Sequence, residues 1–280
     1  MMGAHHAASG AAAWVVIASD YEIPTGELGN AYSWMPEALP IGLGLIDAGH
    51  TGVLVGAIVC AGGAMLADAD HHNASIAHSL PPVSRWICNG IGTISGGHRN
   101  GTHSILGVAV FALIAWALSL LVFDINGVSL HVGAGVFSIL LASFAIKVLK
   151  FLPASARRSH WAVAVPIGAM VTLLAPDQNA WFLWAVAIGV TIHILGDMLT
   201  TGGVNWLWPL TIKPPASVQK TPVLNRMWMR NGRQALPILG NTGSVAEWAL
   251  SIPISIIAVV GMCLAITGAA SEGWAMLLAA

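Results

Sequence analysis

The sequence predicts an all-α fold, a polytopic bundle of transmembrane helices. Three observations point to it. Of 280 residues, 56% are hydrophobic and only 8% are Asp, Glu, Lys or Arg, against about 25% charged in an ordinary soluble domain. The apolar residues gather into about seven long segments, and every Lys and Arg falls in alternate connections between them or at the adjoining helix ends. So few charges cannot solvate a folded exterior, which excludes a soluble globular enzyme and turns the surface towards lipid.

The first apolar segment, 4–18, is short. Fifteen helical residues reach only about 22 Å, so this helix must tilt into a thinned region or begin below the membrane surface. No Lys or Arg precedes its run, so it does not read as a cleavable signal peptide. The next segments are 51–67, 105–123, 130–149, 161–174, 181–199 and 245–267. Several approach the roughly 20 residues that span a hydrocarbon core. Residues 200–244, rich in Pro, Gly, Trp and basic side chains, read as a cytoplasmic loop lying at the interface. The whole of 1–280 is therefore expected to be one membrane domain.

Charge assigns the sides. Connections 19–50, 124–129, 175–180 and 268–280 contain no Lys or Arg, whereas Arg85, Arg99, Lys147, Lys150, Arg157, Arg158, Lys213, Lys220, Arg226, Arg230 and Arg233 occupy the alternate side. The bias of basic residues towards the cytoplasm then predicts a multi-pass cell-membrane protein with its amino terminus inside and its carboxyl terminus outside. Asp20, Glu22, Glu27, Glu37, Asp47, Asp124, Asp177 and Glu272 sort to the outer side. Only Asp68, Asp70, Asp197 and Glu247 remain inside, and they need a separate reason.

Histidine supplies one. The chain has eleven, as many as Lys plus Arg. His5 and His6 open the first span; Asp68, Asp70, His71 and His72 close the second; His98 and His103 introduce the third; His193 and Asp197 close the sixth; Glu247 opens the seventh. Five helix ends thus present imidazole and carboxylate at one membrane depth. His193 and Asp197, four residues apart, share a helix face. Imidazole with carboxylate is the donor set of catalytic zinc and related divalent metals. Singly, each residue has an ordinary reading as an interfacial His or a capping Asp; ionisable groups clustered in membrane segments are costly and tend to be paired or functional. The densest polar stretch is Gly97-His98-Arg99-Asn100-Gly101-Thr102-His103-Ser104, whose ordinary reading is a glycine loop capped by Thr102 or Ser104. Cys60, Cys88 and Cys263 are too far apart in sequence for a CxxC pair and read as buried filler. His50, His78, His131 and His160 have no motif partners.

On these residues the chain resembles the YdjM family of membrane-bound metal-dependent hydrolases. The resemblance rests on ordered motifs: His6 with Gly10; Asp68-Ala-Asp70-His71; Gly97 to Ser104; His193-xxx-Asp197-xx-Thr200-xx-Gly203-Val204 leading to Leu207-Trp208-Pro209; and Thr242-Gly243-Ser244-xx-Glu247. Ala67 stands where the family often has Pro, and His5 where it often has Thr, which leaves the amino-terminal ligand open between His5 and His6. The order of these residues is also similar, distantly, to that of zinc-dependent phospholipases C, which hydrolyse phosphoesters.

The resemblance implies a hydrolase holding one or more divalent metal ions, zinc by donor type, on the cytoplasmic face. His6, Asp68, His98, His193, Asp197 and Glu247 are the first expected ligands. Asp70, His71 and His103 follow, as ligands or as groups that orient a ligating imidazole. Glu247 is alternatively a general base, and Arg99 and Thr102 are expected to hold an anionic substrate group. A site at the bilayer surface suggests a phospholipid or another lipid-linked phosphoester, with the basic stretch 213–233 attracting anionic headgroups. The alternatives are a metal- or proton-coupled transporter and a non-catalytic scaffold with a structural metal. No nucleic-acid module surrounds the basic residues, and the sequence does not fix an oligomeric state.

Overall fold

A computed structural model describes residues 1–26, 32, 34, 36–80, 82–150, 152–153, 159–176 and 180–279, with side chains to residue 273. Of the charges assigned to sides above, Glu27, Arg157, Arg158 and Asp177 lie outside the described residues.

The seven apolar segments are all helical. They form α1 (Gly3–Ala18), α2 (Gly49–Gly63), α4 (Ile105–Ser119), α5 (Val132–Leu149), α6 (His160–Leu174), α7 (Trp181–Met198) and α10 (Val245–Ala279). Four stretches among the described residues are long and apolar enough to cross a membrane: Gly49–Asp70, Val132–Leu149, Trp181–Met198 and Val245–Gly273. The 16-residue α1 and the 15-residue α4 and α6 are shorter, so the structure supports a membrane bundle with four such spans.

These helices are apolar around their circumference, which suits burial by protein or by lipid alike. Position in the bundle separates the two. The stretch Gly49–Asp70 is 83% buried inside the protein and Val245–Gly273 only 22%. α2 is therefore the central post, packed on α1, α5, α7 and α10, while α10 lies outermost. Close approach to α2 depends on missing side chains. A Cβ on Gly10 of α1 would meet the Cys60 carbonyl oxygen at 2.7 Å, and one on Gly189 of α7 would meet the Ala64 amide nitrogen at 2.8 Å. Small residues are how membrane helices gain packing where lipid removes the hydrophobic incentive to associate.

The connections hold more structure than the sequence reading gave them. The third apolar segment stops at Ser119, and Phe123–Ile125 (β3) pairs antiparallel with Val128–Leu130 (β4) around Asn126-Gly127, both with positive φ. The right-handed twist of the strands favours that two-residue turn. A second two-stranded pair, Glu22–Pro24 (β1) with Ala38–Pro40 (β2), lies in the connection before α2. Between the second and third apolar helices is α3 (Val83–Ile94), an amphipathic helix with Cys88 buried and Val83, Trp86, Ile87 and Ile94 exposed. Residues 200–244 carry two short helices, α8 (Ala216–Lys220) and α9 (Leu224–Met227), and β-bridges joining Thr200 to Gly240 and Val204 to Gln234.

Candidate metal centre

The polar helix ends converge. After Gly63 the α2 backbone tightens into a 3-10 turn over Leu66–Asp70. At three residues per turn, positions two apart face different directions. Asp68 accordingly turns to His193 and His103, whereas Asp70 turns to His98, Thr102 and the other side of His103. One imidazole, fully buried on His103, stands between the two aspartates.

His193 is placed by α7 and its tautomer by the backbone. Its Nδ1 donates to the Ala64 carbonyl at 2.5 Å, so Nε2 carries the lone pair. That nitrogen lies 3.6 Å from Asp68 Oδ1 and 3.9 Å from Asp197 Oδ2. His103 is set in the same way. Thr102 Oγ1 donates to Asp70 Oδ2 at 2.5 Å, and His103 Nδ1 lies 3.1 Å from that hydroxyl and 3.3 Å from Asp70 Oδ2. With its proton on Nδ1, His103 aims the bare Nε2 at Asp68 Oδ1 (3.8 Å) and Asp197 Oδ2 (3.7 Å).

His103 Nε2 and His193 Nε2 are buried without a hydrogen-bond partner. Each such acceptor costs about 1–3 kcal/mol if left so. Both face carboxylate oxygens, which cannot donate when ionised. A divalent cation held with Asp68 would satisfy both nitrogens at once. A tetrahedral ion with bonds of about 2.0–2.2 Å separates its donors by roughly 3.3–3.6 Å, slightly less than the 3.6–3.9 Å between these nitrogens and oxygens. Asp68, His103 and His193 fit a divalent ion in kind, and their donor atoms all lie within 4.8 Å of one another.

Around this core, His6 stacks on His193 with centroids 3.6 Å apart and places Nε2 3.2 Å from Asp197 Oδ1. Asp197 Oδ1 also accepts the Met1 amino group. Three sets of donors, His6–His193–Asp197, Asp68–His103–His193 and Asp70–His98–His103, could each hold an ion, and they share residues. His5 points elsewhere. Its Nδ1 lies 2.5 Å from Glu247 Oε1, and the buried Glu247 also accepts from the Met2 and Gly243 amides at 2.7 and 2.8 Å. Ser244 Oγ accepts from the Glu247 amide, so Ser244 and Glu247 together cap α10 much as a capping box does. The geometry thus separates the amino-terminal pair: His6 meets Asp197, His5 meets Glu247.

The remaining expected residues take definite places. His98 Nδ1 bonds Asp70 Oδ1 at 2.9 Å, and His98 and His71 line a polar pocket with His72, Asn89 and Thr93. Burial, followed by the neighbouring His98, lowers the His71 pKa. Arg99 has φ 66°, a conformation that turns its amide to Asp70 Oδ2 at 3.2 Å, and its Nε pairs with Asp197 Oδ2 at 3.1 Å. Arg99 and Thr102 are therefore both engaged with aspartates of the cluster. Sequence reasoning missed Arg233. The bridge between Val204 and Gln234 carries it over the site, where Nη2 donates to the His98 carbonyl at 2.6 Å. Burial and the adjacent Arg99 lower its pKa. Its only sequence signal was a basic residue in a loop otherwise read as interfacial.

The chain matches the family model described as YdjM inner membrane protein over residues 1–272, and it belongs to that family. No curated protein and no solved structure matches it.

Proposed function

We propose that this membrane protein is a metal-dependent hydrolase that cleaves a phosphoester, carried on a lipid, at the cytoplasmic membrane interface. The supporting observation is the pair of buried, unpartnered imidazole nitrogens, His103 Nε2 and His193 Nε2, facing Asp68 and Asp197. Asp68, His103 and His193 would hold one ion, zinc by donor type, and His6 and Asp197 complete an adjoining set with His193. When bound, such an ion lowers the pKa of a ligated water towards about 7 and polarises a phosphoryl oxygen.

The other residues have positioning roles in this reading. Asp70 holds the His98 and His103 rings in orientation. Arg99 and Arg233 bring two guanidiniums to the rim, where an anionic group is attracted. Asp68 is the most exposed carboxylate of the cluster, at 23% against 0% for Asp70 and 3% for Asp197. Substrate and water therefore enter on its side. Glu247, saturated by His5 and two amides, anchors α1 to α10 rather than acting as the base. Seven crossings with a cytoplasmic amino terminus complete the proposal, because they set the site on the side of the basic loop.

Metal analysis of the purified protein tests it. The parent should carry stoichiometric metal, and His193→Ala and Asp197→Asn should lose it. A metal-free parent, or full retention in both variants, defeats the metal centre. A panel of labelled phospholipids left intact by metal-replete protein defeats the lipid phosphoester. Metal-dependent flux in proteoliposomes without product would replace the hydrolase with a transporter.

A further inference from the structure

The helix α3 divides lengthwise into three unlike faces, each about a third of its circumference at 3.6 residues per turn. One face is packed on protein. Ser84 Oγ donates to the Ala77 carbonyl at 2.8 Å, Cys88 is buried, and a Cβ on Gly92 would meet the Asp70 carbonyl oxygen at 2.8 Å. The second face is polar: Arg85 is exposed, and Asn89 and Thr93 line the pocket that holds Asp70, His71 and His98. The third is apolar and exposed, with Val83, Ile87, Gly90 and Ile94. Trp86, also exposed, stands on the border of the polar and apolar faces, as an indole does at a membrane–water boundary.

Depth and charge both say what covers the apolar face. Ile87 shares an apolar groove with Ile114 of α4 and Leu140 of α5. Leu140 lies near the middle of the candidate membrane span Val132–Leu149, so Ile87 stands beside the hydrocarbon layer. The 12 residues of α3 reach about 18 Å, too short to cross a core of roughly 30 Å. The helix therefore lies along the layer, not through it. From His71 to Phe123 the chain has no Asp or Glu. In the turn before α3, Lys147 Nζ donates to the Ser75 and His78 carbonyls at 3.1 and 2.7 Å, and Arg85 Nη2 lies 3.5 Å from His78 Nδ1. Basic groups without acids complement an anionic leaflet.

We propose that α3 is an in-plane membrane helix whose apolar face is covered by the acyl chains of an anionic bilayer and whose Arg85 edge meets its headgroups. Helices with one apolar face and one polar face bind a bilayer surface in this way. The Asn89 edge then holds the mouth of the polar pocket at headgroup level. The seat does not depend on the hydrolase reading.

Spin labels on the full chain test this in nanodiscs of phosphatidylethanolamine mixed with phosphatidylglycerol. Cys263→Ala removes the exposed thiol and leaves Cys60 and Cys88, which are buried. Single labels at Val83→Cys, Gly90→Cys and Ile94→Cys should be relaxed by oxygen and lose relaxation by a water-soluble nickel chelate. Labels at Arg85→Cys and Asn89→Cys should keep the nickel effect. A Cβ at Gly90 meets nothing within 4 Å, so that variant tests the face without disturbing packing. Nickel relaxation at all five positions puts α3 in water and overturns the proposal. Protection of the three apolar positions from both reagents also overturns it and assigns the face to protein, a second copy included. Exchanging phosphatidylglycerol for phosphatidylcholine should lower the oxygen-to-nickel ratio at Val83→Cys; an unchanged ratio overturns the anionic contact. Tryptophan emission of the parent minus that of Trp86→Phe gives a second reading without labels. Lipid brominated near the headgroup should quench that difference, and an unquenched difference counts against the seat.

Discussion

Replacing Asp70 by Asn separates holding a metal from orienting the residues that hold it. Asp70 accepts from the Arg99 amide at 3.2 Å, Thr102 Oγ1 at 2.5 Å and His98 Nδ1 at 2.9 Å, and its Oδ2 is 3.3 Å from His103 Nδ1. An amide of the same shape keeps one accepting oxygen and turns the other into a donor. Whichever way it is placed, one imidazole loses its acceptor. A charge-assisted hydrogen bond of this kind contributes about 1.5–3 kcal/mol. Loss of an outer partner to a ligating His typically weakens metal affinity about 10–100-fold, which is about 1.4–2.8 kcal/mol. The two magnitudes agree. Chelator competition on purified protein should therefore show Asp70→Asn binding metal about 10–100-fold more weakly, yet reaching the parent stoichiometry at saturation. Asp197→Asn should instead lose stoichiometry. Unchanged affinity in Asp70→Asn, or loss of the ion at saturating metal, would refute the orienting role.

Glu247→Gln should retain the full metal stoichiometry while losing about 1–3 kcal/mol of stability, because the side chain caps α10 and pairs with His5. Thermal unfolding beside metal analysis checks this, and metal loss at unchanged stability would return Glu247 to the ligand set. At the opposite end of the bundle, Tyr21 lies 2.9 Å from His50 Nδ1, and burial, then Asp20 and Glu272, push its phenol from 10.0 up to about 12. A pKa raised on folding means the folded state keeps its proton longer, so this stabilisation is complete below about pH 10 and is lost as pH rises through about 12. Tyrosinate absorbance of the parent minus that of Tyr21→Phe should show a step near pH 12; a step near pH 10 would contradict it.

Much of the helical framework was legible because each apolar segment announces itself by length and composition. The Asn126-Gly127 hairpin was equally legible, with Phe123, Ile125, Val128 and Leu130 around a dipeptide that favours the turn. It was absorbed into the third apolar segment because hydropathy alone does not distinguish a helix end from a short strand. α3 was overlooked for a related reason. Its apolar residues recur at helical spacing among Arg85, Asn89 and Thr93, so a search for unbroken apolar runs passes over it.

In the site, the membership of the cluster was legible and its pairings were not. Charge and hydropathy order helix ends along the membrane normal, and this alone gathered His6, Asp68, Asp70, His98, His103, His193 and Asp197 at one depth. Which imidazole meets which carboxylate depends on the rotation of each helix about its axis. That rotation is set across the bundle, by Gly10 and Gly189 against the 60–64 backbone and by the Ala64 carbonyl that fixes His193. It also depends on the 3-10 turn that points Asp68 and Asp70 apart. The sequence by itself determined a membrane protein with its polar chemistry concentrated at one end. Only the tertiary structure separated His6 from His5, set Glu247 against His5 and the Met2 and Gly243 amides, and brought Arg233 over His98, because hydropathy fixes depth whereas close packing fixes direction.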